Sequence, residues 1–259
     1  MNPRFLALVL PLAGALALSA CSTMAVAGTP SPTAFVPSAS AASAEPTAQA
    51  TAEPAAEPTP VTPTPVSKPA PPPDTRSGKA LNEPFTVDGI VVVSKVHRLS
   101  SSYVPAWAAK PHGLHPDVHS AFQELAAAAK ADGAPVMIRS GYRSYAAQQA
   151  SFAKAKKQYD DKTARLYFAE AGASEHQTGL ALDAWDGRNR GTAFARTEQA
   201  SWLAAHAHEY GFIVRYPQGK TDITGYAWES WHLRWVGTEI AAEFGPNSSL
   251  TLEEYLGLA

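Results

Sequence analysis

The stretch SEHQTGLALD, residues 174–183, decides how this chain folds. Up to Thr178 it is polar and has no period. From Gly179 the segment GLALDAW (179–185) alternates, with Leu180 and Leu182 on one face and Ala181 and Asp183 on the other. That pattern predicts a strand with one apolar face. Gly179 permits a sharp entry turn, and Ala181 leaves room beside Asp183. A loop histidine folding back over a strand carboxylate brings His176 and Asp183 onto one ion, and imidazole nitrogen and carboxylate oxygen both suit Zn²⁺ at about 2.0–2.2 Å. A direct hydrogen bond between the two is the alternative use of the same pair.

Working outward, HPDVHSAFQELAAAAKADG (115–133) predicts a helix that starts at Pro116–Asp117 and stops at Gly133. SYAAQQASFAKAKKQ (144–158) predicts another, with Ser144 as N-cap, and DKTARLYFAEAG (161–172) a third. TEQASWLAAHAHEYG (197–211) is closed by Gly211. GIVVVSKV (89–96), APVMIRS (134–140), FIVRY (212–216) and ESWHLRWV (229–236) read as strands, and TEIAAEFG and TLEEYLG as short terminal helices. Short connections between these elements predict an α+β domain, a small antiparallel sheet flanked by helices. The strand order does not follow from the pattern.

A third ligand for the ion is needed. His206 and His208 are two apart on a helix and cannot converge, and His97 stands alone. His112, His115 and His119 form a cluster, but Pro116 interrupts it and no carboxylic base accompanies it. His232 differs, because Glu229 lies three residues ahead of it in ESWHLRW. A regular strand puts an odd spacing on opposite faces. Glu229 is therefore expected on the turn entering the strand, which Gly225 suits, with His232 at the strand's start. A carboxylate beside a zinc water, not ligating it, is a general base for hydrolysis. Three protein ligands plus a water is the open, catalytic zinc pattern.

The chain's ends bound the rest. It has 259 residues, with 21 Lys and Arg against 23 Asp and Glu, a net charge of −2 that argues against a nucleic-acid partner. Arg4 and the apolar run FLALVLPLAGALAL form a targeting segment over 1–20, too short for a spanning helix. The run ends in LSAC, where Cys21 is the single cysteine. This resembles a bacterial lipoprotein signal, which implies lipidation of Cys21. Residues 21–79 are rich in Pro, Ala, Thr, Ser and Glu with few large apolar side chains, so they are expected to remain an extended, disordered tether. All eight histidines lie beyond it, in a domain of about 180 residues over 80–259.

SGYRS at 140–144 with Gln148, SEHQTGLALD at 174–183 and ESWHLRWVG at 229–237 together resemble the VanY-type zinc carboxypeptidases of bacterial cell walls. These share a fold group with lysostaphin-type peptidases, D-Ala-D-Ala metallopeptidases and the hedgehog signalling domain. VVVSKVHRLSSSYVP (91–105) is similar to the family's entry segment, so the resemblance spans about residues 85 to 245. It implies His176, Asp183 and His232 as zinc ligands and Glu229 as the base. It implies that Arg143 binds substrate and polarises the scissile carbonyl, and that Gln148 and Ser174 hold the terminal residue of the peptide. The implied activity is hydrolysis of the terminal bond of peptidoglycan stem peptides, as a D-Ala-D-Ala carboxypeptidase or a related L,D-carboxypeptidase. An endopeptidase of the same fold stays open. So does a wall-binding lipoprotein with a structural zinc, although such a site has no use for Glu229 or Arg143. A monomer anchored to the membrane through its N-terminal lipid and facing the wall is expected.

Overall fold

The computed structural model describes residues 71–259; the signal segment, Cys21 and the tether as far as residue 70 lie outside the described residues. The packed chain begins at Asp74. Its carboxylate binds Arg76 and His97, and Arg76 also donates to the backbone of Glu83 and Arg98. Contacts with the domain therefore begin a few residues ahead of residue 80.

A hairpin follows, β1 (Phe85–Val87) and β2 (Ile90–Val92), paired antiparallel as a sheet of its own. Its turn is Asp88–Gly89, with φ of 51° and 81°. Two positive φ values in a two-residue loop match the right-handed twist of the strands. The strand expected over 89–96 is thus shorter and has a partner in β1, for which Asp-Gly was the signal.

Helix α1 (Pro116–Ala131) starts at the expected proline, capped by His115, whose side chain accepts from the Asp117 N–H. Next come β3 (Met137–Ser140), α2 (Tyr145–Gln158), capped by Ser144, and α3 (Asp161–Tyr167). α3 ends at Phe168, short of the Gly172 expected to close it. A 3-10 turn over Glu175–Thr178 leads into β4 (Ala181–Trp185). Then follow α4 (Glu198–His206), β5 (Phe212–Tyr216), the short α5 (Thr221–Thr224), β6 (Glu229–Trp235), α6 (Thr238–Phe244) and α7 (Leu252–Tyr255). The antiparallel sheet runs β3-β4-β6-β5. An α+β fold with small antiparallel sheets is what the alternating and helical patterns predicted. Among the described residues no helix is long and apolar enough to cross a membrane.

The sheet separates a core from a site. Leu182 pairs with Leu233, and both are fully buried with Val118, Phe122 and Leu125 of α1 and Leu203 of α4. The neighbouring pair, Asp183 opposite His232, projects to the other face. A second core joins the β1–β2 hairpin to Ile213, Phe244, Leu252 and Leu256.

Candidate active site

Two loops and two strands build the site. Gly179 ends the 3-10 turn at φ 67°, where a Cβ would meet Trp107 Nε1 at 2.5 Å and the Gly113 carbonyl at 2.6 Å. Glycine is thus required there for both conformation and space. The turn is stitched to the segment after β3. His176 Nδ1 lies 2.6 Å from the Gly141 carbonyl, and the Arg143 N–H donates to the His176 carbonyl at 3.0 Å. A carbonyl only accepts, so Nδ1 carries the proton and His176 presents a bare Nε2.

That Nε2 stands 3.4 Å from Asp183 Oδ1, and His232 Nδ1 stands 3.3 Å from the same oxygen. The ligand atoms of His176, Asp183 and His232 all lie within 4.8 Å of one another, and this is the group among the described residues that could hold a metal ion. The donor set fits zinc. A tetrahedral site with ligands at about 2.0–2.1 Å has edges of about 3.4 Å, close to the two separations from Asp183. The trio His112, His115 and His119 forms no such group. His112 stacks on His119, while His115 stacks on Trp235 and meets Trp107 edge to face.

Glu229 is in β6 itself, not on the turn before it, which corrects the expectation drawn from its odd spacing to His232. Val214 pairs with Leu233 and Tyr216 with Glu229, so two steps along β5 match four along β6. The irregularity in β6 absorbs the odd spacing, and both side chains line one cavity of about 690 Å³. Glu229 Oε2 is 3.9 Å from His232 Nδ1, on the same side as Asp183. Burial, reinforced by the Asp183 and Glu175 carboxylates and opposed by His232 and Arg143, pushes the Glu229 carboxyl up to about 7. Asp183 moves the other way. Burial alone would raise it, but His176 and His232 outweigh that and hold it below the usual carboxylate range.

Arg143 follows a bulge at Arg139, where β3 gains a residue against β4. Its guanidinium donates to Gln148 Oε1 at 2.8 Å and Ser140 Oγ at 3.0 Å, and lies 3.8 Å from Asp183 Oδ2. Gln148 is fully buried, and its amide N–H donates to the Ala169 carbonyl. It is therefore placed to hold Arg143 as well as to line the cavity. Ser174 also lines the cavity, and its side chain makes no capping hydrogen bond. Cys21 lies outside the described residues.

Glu175 and Arg215, each buried to 1% exposure, were not singled out by the sequence, and Arg234, equally buried, was read only as a structural partner near the site. Arg215 sits in the otherwise apolar strand FIVRY, and Arg234 two residues after His232 in β6. A buried arginine demands a buried counter-charge, and that was the available signal.

The family model described as VanY, D-alanyl-D-alanine carboxypeptidase, matches residues 111–238. A D-alanyl-D-alanine carboxypeptidase of Enterococcus faecalis (strain ATCC 700802 / V583) is 38% identical over 143 residues, 52% of each chain. The chain thus spans about half the length of that curated relative. Among solved structures, the LdcB LD-carboxypeptidase superposes with a TM-score of 0.57 at 38% identity, over 65% of this chain and 86% of that one. A variant of the vancomycin-resistance D,D-pentapeptidase VanY, in complex with Zn(II), superposes with a TM-score of 0.56 at 34% identity, over 64% and 97%.

Proposed function

The chain belongs to the VanY family of D-alanyl-D-alanine carboxypeptidases, and from that premise we propose that it is a zinc metallocarboxypeptidase that removes the C-terminal residue of peptidoglycan stem peptides. The observation that carries this reading is the convergence of two imidazole nitrogens, His176 Nε2 and His232 Nδ1, on one Asp183 oxygen, with Glu229 beside them. In this reading His176 Nε2, Asp183 and His232 Nδ1 hold the ion. Zinc bound there supplies a Lewis acid and lowers the pKa of a water from about 15.7 toward about 7.

The protein's own groups do the rest. Glu229, raised to about 7, accepts the proton of the attacking water and passes it to the departing amine. Arg143, kept in place by Gln148 and Ser140, directs a fixed positive charge at the oxygen that becomes an oxyanion. Ser174 offers a hydroxyl to the terminal residue of the peptide. A structural zinc site would need neither Glu229 nor Arg143, which weighs against a purely wall-binding role. The LSAC motif supports a lipid anchor at Cys21 and a place outside the cytoplasmic membrane, facing the wall. Cys21→Ser should release the protein from the membrane fraction, and a variant that still sediments with membranes removes the anchor from the reading.

The test of the enzyme is to incubate the zinc-loaded protein with defined stem tripeptides, tetrapeptides and pentapeptides and to weigh the products. Loss of one terminal residue is expected. Shortening of the pentapeptide marks D,D-specificity, shortening of the tetrapeptide marks L,D-specificity, and cleavage at an internal bond marks an endopeptidase. No cleavage of any of them by the zinc-bound protein overturns the proposal.

A further inference from the structure

His232 is held from both sides. Its Nδ1 faces Asp183, and its Nε2 lies 3.2 Å from Glu175 Oε2. Glu175 borders the same cavity beside His232, yet its carboxylate is among the most enclosed in the protein, with a side chain at 0% exposure. Its other oxygen, Oε1, accepts from Arg215 Nε at 2.7 Å and from Arg234 Nη1 at 2.9 Å. The remaining donors of those arginines are also placed. Arg215 binds Glu253 of α7 through both terminal nitrogens, at 2.8 and 2.6 Å. Arg234 donates to the Val91 carbonyl at 2.6 Å and the Trp235 carbonyl at 3.0 Å. Two carboxylates and two guanidiniums thus close a buried set with no net charge.

We infer that Glu175 is a positioning residue for the metal site, locking His232 in the orientation and tautomer that turn a bare Nδ1 toward Asp183. This rests on the proposed zinc site. Arginine is always charged, so two of them hold Glu175 as an acceptor-only carboxylate. A neutral imidazole facing such an acceptor must put its proton on Nε2, which leaves Nδ1 free. The two histidines therefore use opposite nitrogens for opposite reasons. The Gly141 carbonyl takes the Nδ1 proton of His176, and Glu175 takes the Nε2 proton of His232. Partners that orient a ligating histidine in this way govern metal affinity almost as the ligands do. The chain of contacts also ties the C-terminal helix, through Glu253 and Arg215, to the ligand.

The test compares Glu175→Gln with Glu253→Gln. Each removes one negative charge from the same buried set, but only the first touches His232. Zinc affinity is measured by competition with a chelator, and the visible spectrum of the cobalt(II)-loaded protein is recorded beside it. Glu175→Gln should weaken zinc about 10- to 100-fold and change the cobalt spectrum. Glu253→Gln should lower the melting temperature yet leave zinc affinity and spectrum as in the wild type. Should Glu175→Gln not fold, Glu175→Asp retains the counter-charge of both arginines while drawing the carboxylate back from His232, and the same weakening is expected. Unchanged affinity in the Glu175 variant that folds, or equal weakening in Glu253→Gln, overturns the inference while leaving the zinc site standing. A wild-type protein that takes up no zinc overturns the site and the inference together.

Discussion

The two edges of the His232 ring look onto opposite kinds of charge. On the Nε2 side Glu175, Arg215, Arg234 and Glu253 match one another donor for acceptor, buried and neutral as a set. On the Nδ1 side Asp183, Glu229, His176 and Arg143 gather without matching. Two carboxylates face His176 Nε2 and His232 Nδ1, and Arg143 reaches Asp183 only at 3.8 Å. The matched side has no further valence to satisfy, which makes it a support. The unmatched side gathers ligand atoms of His176, Asp183 and His232 within 4.8 Å of one another, which makes it a place for a cation. Both sides are expensive to bury, and only the second has a chemical reason to remain incomplete.

The most severe way to break the contrast is to remove a proposed ligand from the unmatched side. His176→Ala, Asp183→Ala and His232→Ala should each abolish tight zinc binding and peptide hydrolysis, read by metal analysis of the purified protein. Changing His112, His115 and His119 together should leave one zinc per chain. If zinc is lost only in that triple variant, the wrong cluster has been assigned.

Next comes Glu229→Gln, which leaves size and hydrogen bonding but removes the basicity. Hydrolysis should fall about 10²- to 10⁴-fold, while zinc content and substrate affinity persist because neither depends on that carboxylate. Loss of zinc in this variant would make Glu229 a ligand.

On the matched side the expected effect is on stability rather than rate. Glu253→Gln leaves Arg215 buried with only Glu175 as counter-charge. Breaking a buried pair by removing one partner costs on the order of 3 kcal/mol, measurable as a shift of the denaturant midpoint at unchanged slope. A neutral outcome would mean that water reaches Arg215 and that the set is not closed.

The smallest effect is a pH dependence that joins the two sides. In the metal-free protein burial opposes protonation of His232, but Asp183 and Glu175 on either side of the ring outweigh it and push the imidazole up to about 9. A raised folded pKa stabilises the protein fully below the unfolded value, about 6.5. That stability is lost as pH rises through about 9. The metal-free melting temperature should therefore fall between about pH 7 and 9. Zinc requires the neutral ring, so the zinc-loaded protein should not show this fall. A flat metal-free profile would show that the two carboxylates do not act on His232 together.

Much of this site was legible in the chain. SEHQTGLALD carries its strand period, its glycine turn and two of the proposed ligands, and ESWHLRW carries the third with its acid. The helices over 116–131 and 145–158 follow from Pro116, Ser144 and the apolar spacing. The hairpin strand β1 escaped because three residues are too few to establish a period, although Asp88–Gly89 marked its turn. Glu175 escaped because it is one polar residue in a polar loop. Its partners lie 40 and 59 positions away, and nothing local announces them.

By itself the sequence determined which residues could bind an ion and which segments could be strands, because ligand chemistry belongs to the side chain and alternation belongs to the local backbone. Only the tertiary structure decided that Asp183 lies opposite His232, since strand order and register are properties of a pairing and not of either strand. It likewise decided that Glu229 and His232, three apart, share a face. A regular strand forbids that, and an irregular register against β5 permits it. Which nitrogen of each histidine faces the site was also settled there, because a distant carbonyl or carboxylate engages the other one.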